Sequence, residues 1–297
     1  AVLVLGGIVA TVIGTALGGP LVDRLGPAVA LWIDAATYFV SVLALATILR
    51  AGVEGRPVAG AVDAAAAVGA TARRAVARAW ADVREGWRQA LGTPAARGPL
   101  LAAIATWIAG GVLHVAGTAH VQQGGVAVTG VGLLIAALAI GAAVGTAGAL
   151  AREARRAAAA AAIASSRAIP AGTAGPTDRR AMLAVGLIGS GAGLVLFAAA
   201  RSLTAMAAAG FVVGLFAAPV FFLAETALQE AVLPGVRARV FAARDVLSRG
   251  AFLLTAAAAA PAARALGDAA VIAGGASMLI LLGLAVAASA RRRATIT

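Results

Sequence analysis

The 297-residue sequence contains no cysteine and no lysine. Without cysteine, the chain cannot form a disulfide, hold a metal through thiolates or use a cysteine nucleophile. Without lysine, it cannot carry the phosphate-binding loop that ends in Gly-Lys-Ser/Thr. The chain therefore carries no Walker-type ATPase, and all 24 of its basic residues are arginine.

Charged and aromatic residues are also scarce, at 12% and 4% of the chain, while hydrophobic residues reach 62%. Soluble domains have about 25% charged and 45–50% apolar residues, so the composition indicates a membrane protein. The two histidines, His114 and His120, are too few for a zinc enzyme, and no metal or cofactor is predicted. Despite a net charge of +12, the arginines lack interleaved aromatic side chains, which argues against nucleic acid as a partner.

The apolar residues form eight runs, each close to the roughly 20 residues that a helix needs to span a bilayer. The predicted fold class is therefore all-α, a polytopic transmembrane helical bundle with eight spans. The runs cover residues 1–22, 27–49, 99–118, 126–150, 181–200, 203–229, 240–264 and 268–290.

The arginines predict how these spans are oriented. If the segment 50–98 is cytoplasmic, three arginines lie outside, and all others lie in that segment, in 152–180, in 237–249 or in the tail. The positive-inside rule then places the linker and the carboxy terminus in the cytoplasm, in a multi-pass protein of the cell membrane. We expect inside loops at 151–180, where 157–178 is predicted to be mobile, and at 230–239. The outside turns are expected near residues 24, 122, 201 and 266.

The sequence contains an internal repeat. A shift of 241 residues superimposes Pro20 on Pro261, Leu25-Gly26 on Leu266-Gly267, and Arg50 on Arg291. The matched spans are six apart, as expected for a protein built from two six-span halves. Since the chain begins at Ala1 inside an apolar run, we expect that its amino terminus is missing. The predicted parts are the last two spans of an amino-terminal bundle (1–49), a cytoplasmic linker (50–98), a carboxy-terminal six-helix bundle (99–290) and a cytoplasmic tail (291–297).

The linker contains an amphipathic pattern. Val76, Trp80, Val83 and Trp87 recur at helical spacing, which predicts an amphipathic helix. This helix either lies on the inner membrane surface or packs onto the cytoplasmic ends of the bundle. Gly141 and Gly145, and Gly210 and Gly214, form small-xxx-small pairs that allow close helix packing.

A polar stripe interrupts the second apolar run. Asp34 lies about 10 Å inside its span at the helical rise, and Thr37, Tyr38 and Ser41 share its face. An intramembrane carboxylate is a candidate for proton or cation handling. The alternative is that Asp34 hydrogen-bonds to a neighbouring helix and keeps its protonation state.

Trp107 and His114 share one face of the third run and are predicted to line the same substrate and proton pathway. His114 either titrates near neutral pH or hydrogen-bonds across helices.

Charge is concentrated between residues 225 and 249, at the inner edge of the membrane. One interpretation is a cytoplasmic gate whose ion pairs form in one state and break in the other, and the spacing of Asp245 and Arg249 predicts one such pair. The alternative is simple anchoring at the interface. The predicted gate residues are Glu225, Gln229, Arg237, Arg239, Arg244, Asp245 and Arg249.

The run Leu228–Phe241 resembles the Leu-Gln-x-x-Val-Pro…Arg-Gly-Arg-Val loop between spans ten and eleven of the enterobactin-exporter-like branch of the major facilitator superfamily. Gly14–Pro20 and Asp34–Phe39 are similar to its spans five and six, and Val83–Trp87 to the segment before span seven. Ala238 replaces the usual glycine, an extra residue precedes Pro234, and spans one to four are absent.

This resemblance implies a proton-coupled exporter of amphipathic small molecules, drug- or siderophore-like, that works as an antiporter by alternating access. The bilayer, the small-molecule substrate and protons would be its partners, and no enzymatic activity is predicted. Two alternatives remain: a transport-inactive membrane scaffold or fragment, and a polytopic membrane enzyme acting on lipids.

Overall fold

The computed structural model describes residues 2–52, 63–123, 128–167 and 176–294. Every element within these ranges is helical, which confirms the predicted all-α class. The helices are α1 (Val2–Gly52), α2 (Asp63–Gly92), α3 (Pro94–Val112), a π-helical turn (Leu113–Gly117), α4 (Thr118–Gln123), α5 (Val128–Arg167), α6 (Pro176–Ala199), α7 (Leu203–Ala231), α8 (Pro234–Leu266) and α9 (Asp268–Ala294).

Seven helices in the described part of the chain are long and apolar enough to cross a membrane, as expected of a multi-pass membrane protein. The first lies within α1, which Gly26 divides into two helices. The seven candidate spans are Leu17–Ala44, Pro94–Gln123, Thr129–Ala159, Arg179–Ala199, Leu203–Ala231, Pro234–Leu266 and Asp268–Ser289.

The two copies of the internal repeat share an unusual backbone conformation. Gly26 has φ 81° and ψ 160°, and Gly267, which lies 241 positions later, has φ 87° and ψ 148°. Side chains strongly disfavour this region of φ/ψ space, so glycine is required where the chain adopts it. The Leu-Gly landmark of the repeat therefore corresponds to the same helix-to-helix connection in both copies.

The main core lies among α3, α6, α7 and α9, where Leu187, Val220 and Ile272 are fully buried. On the outside of this core, α5 packs along α7, and α1 packs along α5. The first helix of α1 makes this contact, since Gly19 is buried, whereas residues 31–44 are exposed.

The amphipathic helix of the linker is α2, and it packs against α8 and α3. Trp87 joins a second, smaller core that includes Leu100 and Val240, whereas Trp80 is 65% exposed. A Cβ atom at Gly86 would overlap the carbonyl group of Arg239. The glycine therefore allows α2 and α8 to touch. The part of α2 around Trp87 packs onto the bundle, as the second interpretation predicts.

Two predicted loops are partly helical. Residues 157–167 belong to α5 because alanine is the strongest helix former, while 168–175 lie outside the described residues. The expected loop 230–239 is also wrong, since α7 ends at Ala231 and α8 begins at Pro234. Proline is favoured at the first helical position because it lacks the N–H that this position leaves unpaired.

The segments that the arginines assign to one side do meet at one end of the bundle. Arg239 lies 3.1 Å from Asp82, and Arg179 pairs with Glu230. At the opposite end, the backbone N–H of Thr129 donates to Asp23 at 2.8 Å, and the Gln123 amide donates to Asp268.

Candidate functional site

A cavity of about 270 Å³ lies inside the bundle. Residues of α3, α5, α6, α7, α8 and α9 and of the π-helical turn line it. Trp107, Phe221 and Phe252 are the largest of them. This volume is close to the lower limit of about 300 Å³ for ligand pockets.

The three aromatic rings form one cluster. Trp107 meets Phe221 and Phe252 edge to face, with ring centroids 5.8 Å apart in both pairs, which is a favourable arrangement. A Cβ atom at Gly111 would come within 2.6 Å of the Phe252 carbonyl oxygen. The absence of a side chain at Gly111 therefore brings α3 and α8 together and places Phe252 beside Trp107.

The polar groups of the cavity wall are already hydrogen-bonded within their own helices. The Thr106 hydroxyl donates to the Ala102 carbonyl at 2.8 Å, and the Ser190 hydroxyl donates to the Gly186 carbonyl at 2.6 Å. The lining residues include no charged side chain. The cavity therefore suits a molecule with a large apolar or aromatic surface.

Trp107 of α3 and His114 of the π-helical turn were both predicted to line the substrate and proton pathway. Trp107 lines the cavity, and His114 does not. His114 is exposed, and its ring lies 5.8 Å from that of Phe252. It belongs to the π-helical turn Leu113–Gly117, a distortion that is frequent at functional sites. The turn also contributes Leu113 to the cavity wall.

The polar stripe of α1 lies elsewhere. Asp34, Thr37, Tyr38 and Ser41 are exposed, and the hydroxyls of Thr37 and Ser41 donate to the carbonyls of Asp34 and Thr37 at 2.7 and 2.9 Å. None of the four is among the residues that line the cavity. The structure therefore does not bring this stripe together with Trp107.

The predicted gate residues form ion pairs between helices. Arg244 lies 3.1 Å from Glu225 of α7 and 3.3 Å from Asp245, and its side chain is only 12% exposed. Its guanidinium also lies over the Phe241 ring, 5.9 Å from the centroid. Asp245 pairs with Arg244 instead of the predicted Arg249.

The remaining gate residues lie around this centre. Arg239 pairs with Asp82 of α2, and Arg237 donates to the Val232 carbonyl at 3.4 Å. Gln229 and Arg249 are exposed, and neither has an ion pair or a hydrogen bond among the residues that the structure describes. The gate prediction therefore contains one inter-helix pair, Glu225 with Arg244, and one link to the linker helix.

Glu85 lies one turn after Asp82 on α2, close to the ion pair of Asp82 with Arg239. The Gln89 amide donates to the Glu85 carboxylate at 2.8 Å, and Arg88 lies at 2.8 Å from it. The hydrogen bond from Gln89, followed by the charges of Arg88 and Arg239, holds the pKa of Glu85 below its ordinary value of 4.5.

Sequence patterns missed Phe221, Phe252 and Asp82 as members of the site. The two phenylalanines lie in continuous apolar runs, where nothing distinguishes a residue that faces a cavity from one that faces lipid. Asp82 had a signal, because it lies on the polar face of the amphipathic helix. Its partner, Arg239, is more than 150 positions away.

Comparison with known proteins adds no further constraint. No protein-family model, curated protein or solved structure matches this chain. Function is therefore inferred from the cavity and the ion pairs.

Proposed function

We propose that the chain acts as a secondary active transporter, with a major-facilitator-like bundle that exports amphipathic small molecules by alternating access. The observation that carries this proposal is the apolar, aromatic cavity lined by helices of the bundle. Ligand sites of membrane transporters lie near the bilayer midplane between helices. A cavity lined by several helices of the bundle is therefore our candidate substrate site.

The chemistry of the wall supports one of the two predicted substrate classes. Trp107, Phe221 and Phe252 offer ring faces and edges to aromatic or cationic groups. The lining has no charged side chain that would pair with a strongly polar siderophore. An amphipathic, drug-like molecule therefore fits better.

The ion pairs at one end of the bundle support a gate. Arg244 joins α8 to Glu225 of α7, and Arg239 joins α8 to Asp82 of α2. The pair of Arg239 with Asp82 is about half exposed. Exposed ion pairs contribute about 0–1 kcal/mol each, so a small change in free energy breaks it. Pairs of this strength allow helices to separate during a transport cycle.

Proton coupling is assigned to Asp34. A carboxylate within an apolar span is costly to leave charged and is often functional. The sequence lacks the nucleotide-binding loop that would provide an alternative driving force. The proton gradient is therefore the proposed energy source.

Flux measurements in vesicles test the proposal. The purified chain is reconstituted into liposomes with an imposed pH gradient, and accumulation of an aromatic cationic dye is followed by fluorescence. We expect accumulation that a protonophore abolishes, and a several-fold lower rate for Phe252→Ala, which removes part of the cavity wall.

Phe39→Ala serves as the matched control because Phe39 is 64% exposed on α1 and contributes nothing to the cavity. Dye accumulation equal to that of empty liposomes would reject transport. Equal effects of the two substitutions would reject the cavity as the substrate site.

The second candidate is a transport-inactive membrane scaffold. The exposed residues 31–44 of α1 favour it, since an apolar helix with an uncovered carboxylate is suited to binding another membrane helix. Absence of flux together with stable folding in liposomes would support this candidate.

A further inference from the structure

A second and larger cavity, of about 500 Å³, lies between α5, α6 and α7. It shares no lining residue with the aromatic cavity. Its volume falls within the range of about 300–1,000 Å³ that is usual for ligand pockets.

The cavity exists because α5 and α7 separate after a tight crossing. Cβ atoms at Gly141 and Gly145 would overlap the carbonyl oxygens of Phe211 and Leu215, so the backbones touch there. One turn later, a Cβ atom at Gly148 would meet nothing within 4 Å. The space beside Gly148 is the cavity.

One side of the cavity opens at the surface of the bundle. Val144 and Val185 line it and are 51% and 58% exposed. Exposed apolar side chains on membrane-spanning helices face lipid chains. An acyl chain can therefore enter between α5 and α6 from the side.

The other end of the cavity is basic. Arg152 lies eight residues after Val144, roughly 12 Å along the helix. Arg152 is exposed and has no ion pair or hydrogen bond within the described part of the chain. The adjacent carboxylate, Glu153, is already 3.7 Å from Arg156 and 3.8 Å from Arg179. Arg152 is thus an available positive charge above an apolar cavity.

We propose that this cavity binds an anionic phospholipid, with the phosphate on Arg152 and an acyl chain in the space beside Gly148. Arginine recognises phosphate through paired hydrogen bonds, and basic pockets between membrane helices bind anionic headgroups. The arginine distribution predicts the cytoplasmic leaflet for this end, where anionic lipids are abundant. The site is independent of the proposed transport function.

Native mass spectrometry of the full chain in detergent tests the site. Phosphatidylglycerol is titrated against the wild type and against Arg152→Gln. We expect phosphatidylglycerol to bind roughly tenfold more weakly to the variant, since a charge-assisted contact is lost. Phosphatidylcholine binding should not change.

Arg155→Gln is the matched control because Arg155 lies on the same helix and is exposed, but does not line the cavity. We expect less than a twofold effect. Equal losses for the two variants would mean diffuse attraction to basic residues and would overturn the proposal.

Gly148→Leu tests the acyl chain without changing charge. The leucine fills the cavity, and phosphatidylglycerol binding should fall as it does for Arg152→Gln. Gly274→Leu is its control, since a Cβ atom at Gly274 also meets nothing within 4 Å but lies on α9, away from the cavity. Unchanged binding to Gly148→Leu, or displacement of the lipid by equimolar glycerol phosphate, would overturn the proposal.

Discussion

Individual side chains decide the character of the cavity. Trp107, Phe221 and Phe252 come from three different helices and meet at ring distances of 5.8 Å. The hydroxyls nearby are satisfied by backbone carbonyls. This cavity would therefore recognise a ligand through contacts with its aromatic rings and not through hydrogen bonds.

At the same scale, we predict that Gln89→Ala raises the pKa of Glu85 towards 4.5, because the hydrogen bond from Gln89 is the largest cause of its lowering. A lowered pKa in the folded state means that the carboxylate stabilises the fold fully above about pH 4.5. This contribution is lost as the pH falls through the lowered pKa.

The measurement is a carbon NMR titration of glutamate-labelled protein in lipid nanodiscs, with Glu85→Gln used to assign the signal. Gln122→Ala, at the other end of the bundle, should leave the titration of Glu85 unchanged. An unaltered Glu85 pKa in Gln89→Ala would show that the neighbouring arginines alone lower it.

The contact between α5 and α7 shows how elements are held together in this protein. Between helices in lipid there is little hydrophobic driving force, so small residues and close backbone packing stabilise the contact. Gly141, Gly145 and Gly214 lie where the two backbones touch. Helix association here depends on glycines, whose lack of a side chain lets the two backbones touch.

We therefore predict that Gly214→Ala destabilises the protein by about 1–3 kcal/mol, the usual cost of overpacking. A Cβ atom at this position would overlap the Leu138 carbonyl oxygen. The measurement is the temperature at which the protein aggregates in detergent, monitored by size-exclusion chromatography. This temperature should fall by several degrees.

Gly210→Ala is the matched control one turn away on the same helix. There, the nearest atom to the added Cβ is the Leu134 carbonyl oxygen at 3.5 Å, an ordinary contact. Alanine at this position should be neutral or slightly stabilising, since it favours helix. Equal losses at both positions would contradict the close-packing explanation.

For the whole molecule, the arrangement of charge is more informative than its amount. The arginine-rich segments meet at one end of the bundle, where Asp82, Glu225 and Glu230 each pair with an arginine. Asp34 lies apart from this end, within residues 31–44 of α1, whose side chains are exposed. Gate and coupling residues are thus proposed at two separate places.

We predict that Asp34→Asn abolishes the pH dependence of dye transport in liposomes while the folded protein is retained, since asparagine keeps the size but cannot titrate. Glu85→Gln is the control, because Glu85 lies on α2 outside the candidate spans, pairs with Arg88 and Gln89 of its own helix and should leave the pH dependence intact. If transport by the Asp34→Asn variant still depends on pH, this residue has no coupling role.

The sequence alone determined the helical class, the positions of the last six long apolar helices and the amphipathic nature of α2. These properties depend on residues close together in the chain: hydropathy over about 20 residues, periodicity over a few turns, and local propensity. The two runs predicted within residues 1–49 correspond to one candidate span, Leu17–Ala44. Turns near residues 24 and 266 were also predicted, and the repeat aligned Gly26 with Gly267 there. The structure shows that both glycines adopt a backbone conformation that side chains disfavour.

Only the tertiary structure decided which side chains face one another. In runs of alanine, leucine and glycine, the faces of a helix are chemically alike, so the sequence does not fix how each helix is rotated. Phe221 and Phe252 joined Trp107, and Asp82 joined Arg239, through the packing of helices distant in sequence. The open space beside Gly148 arose in the same way, from where α5 and α7 cease to touch.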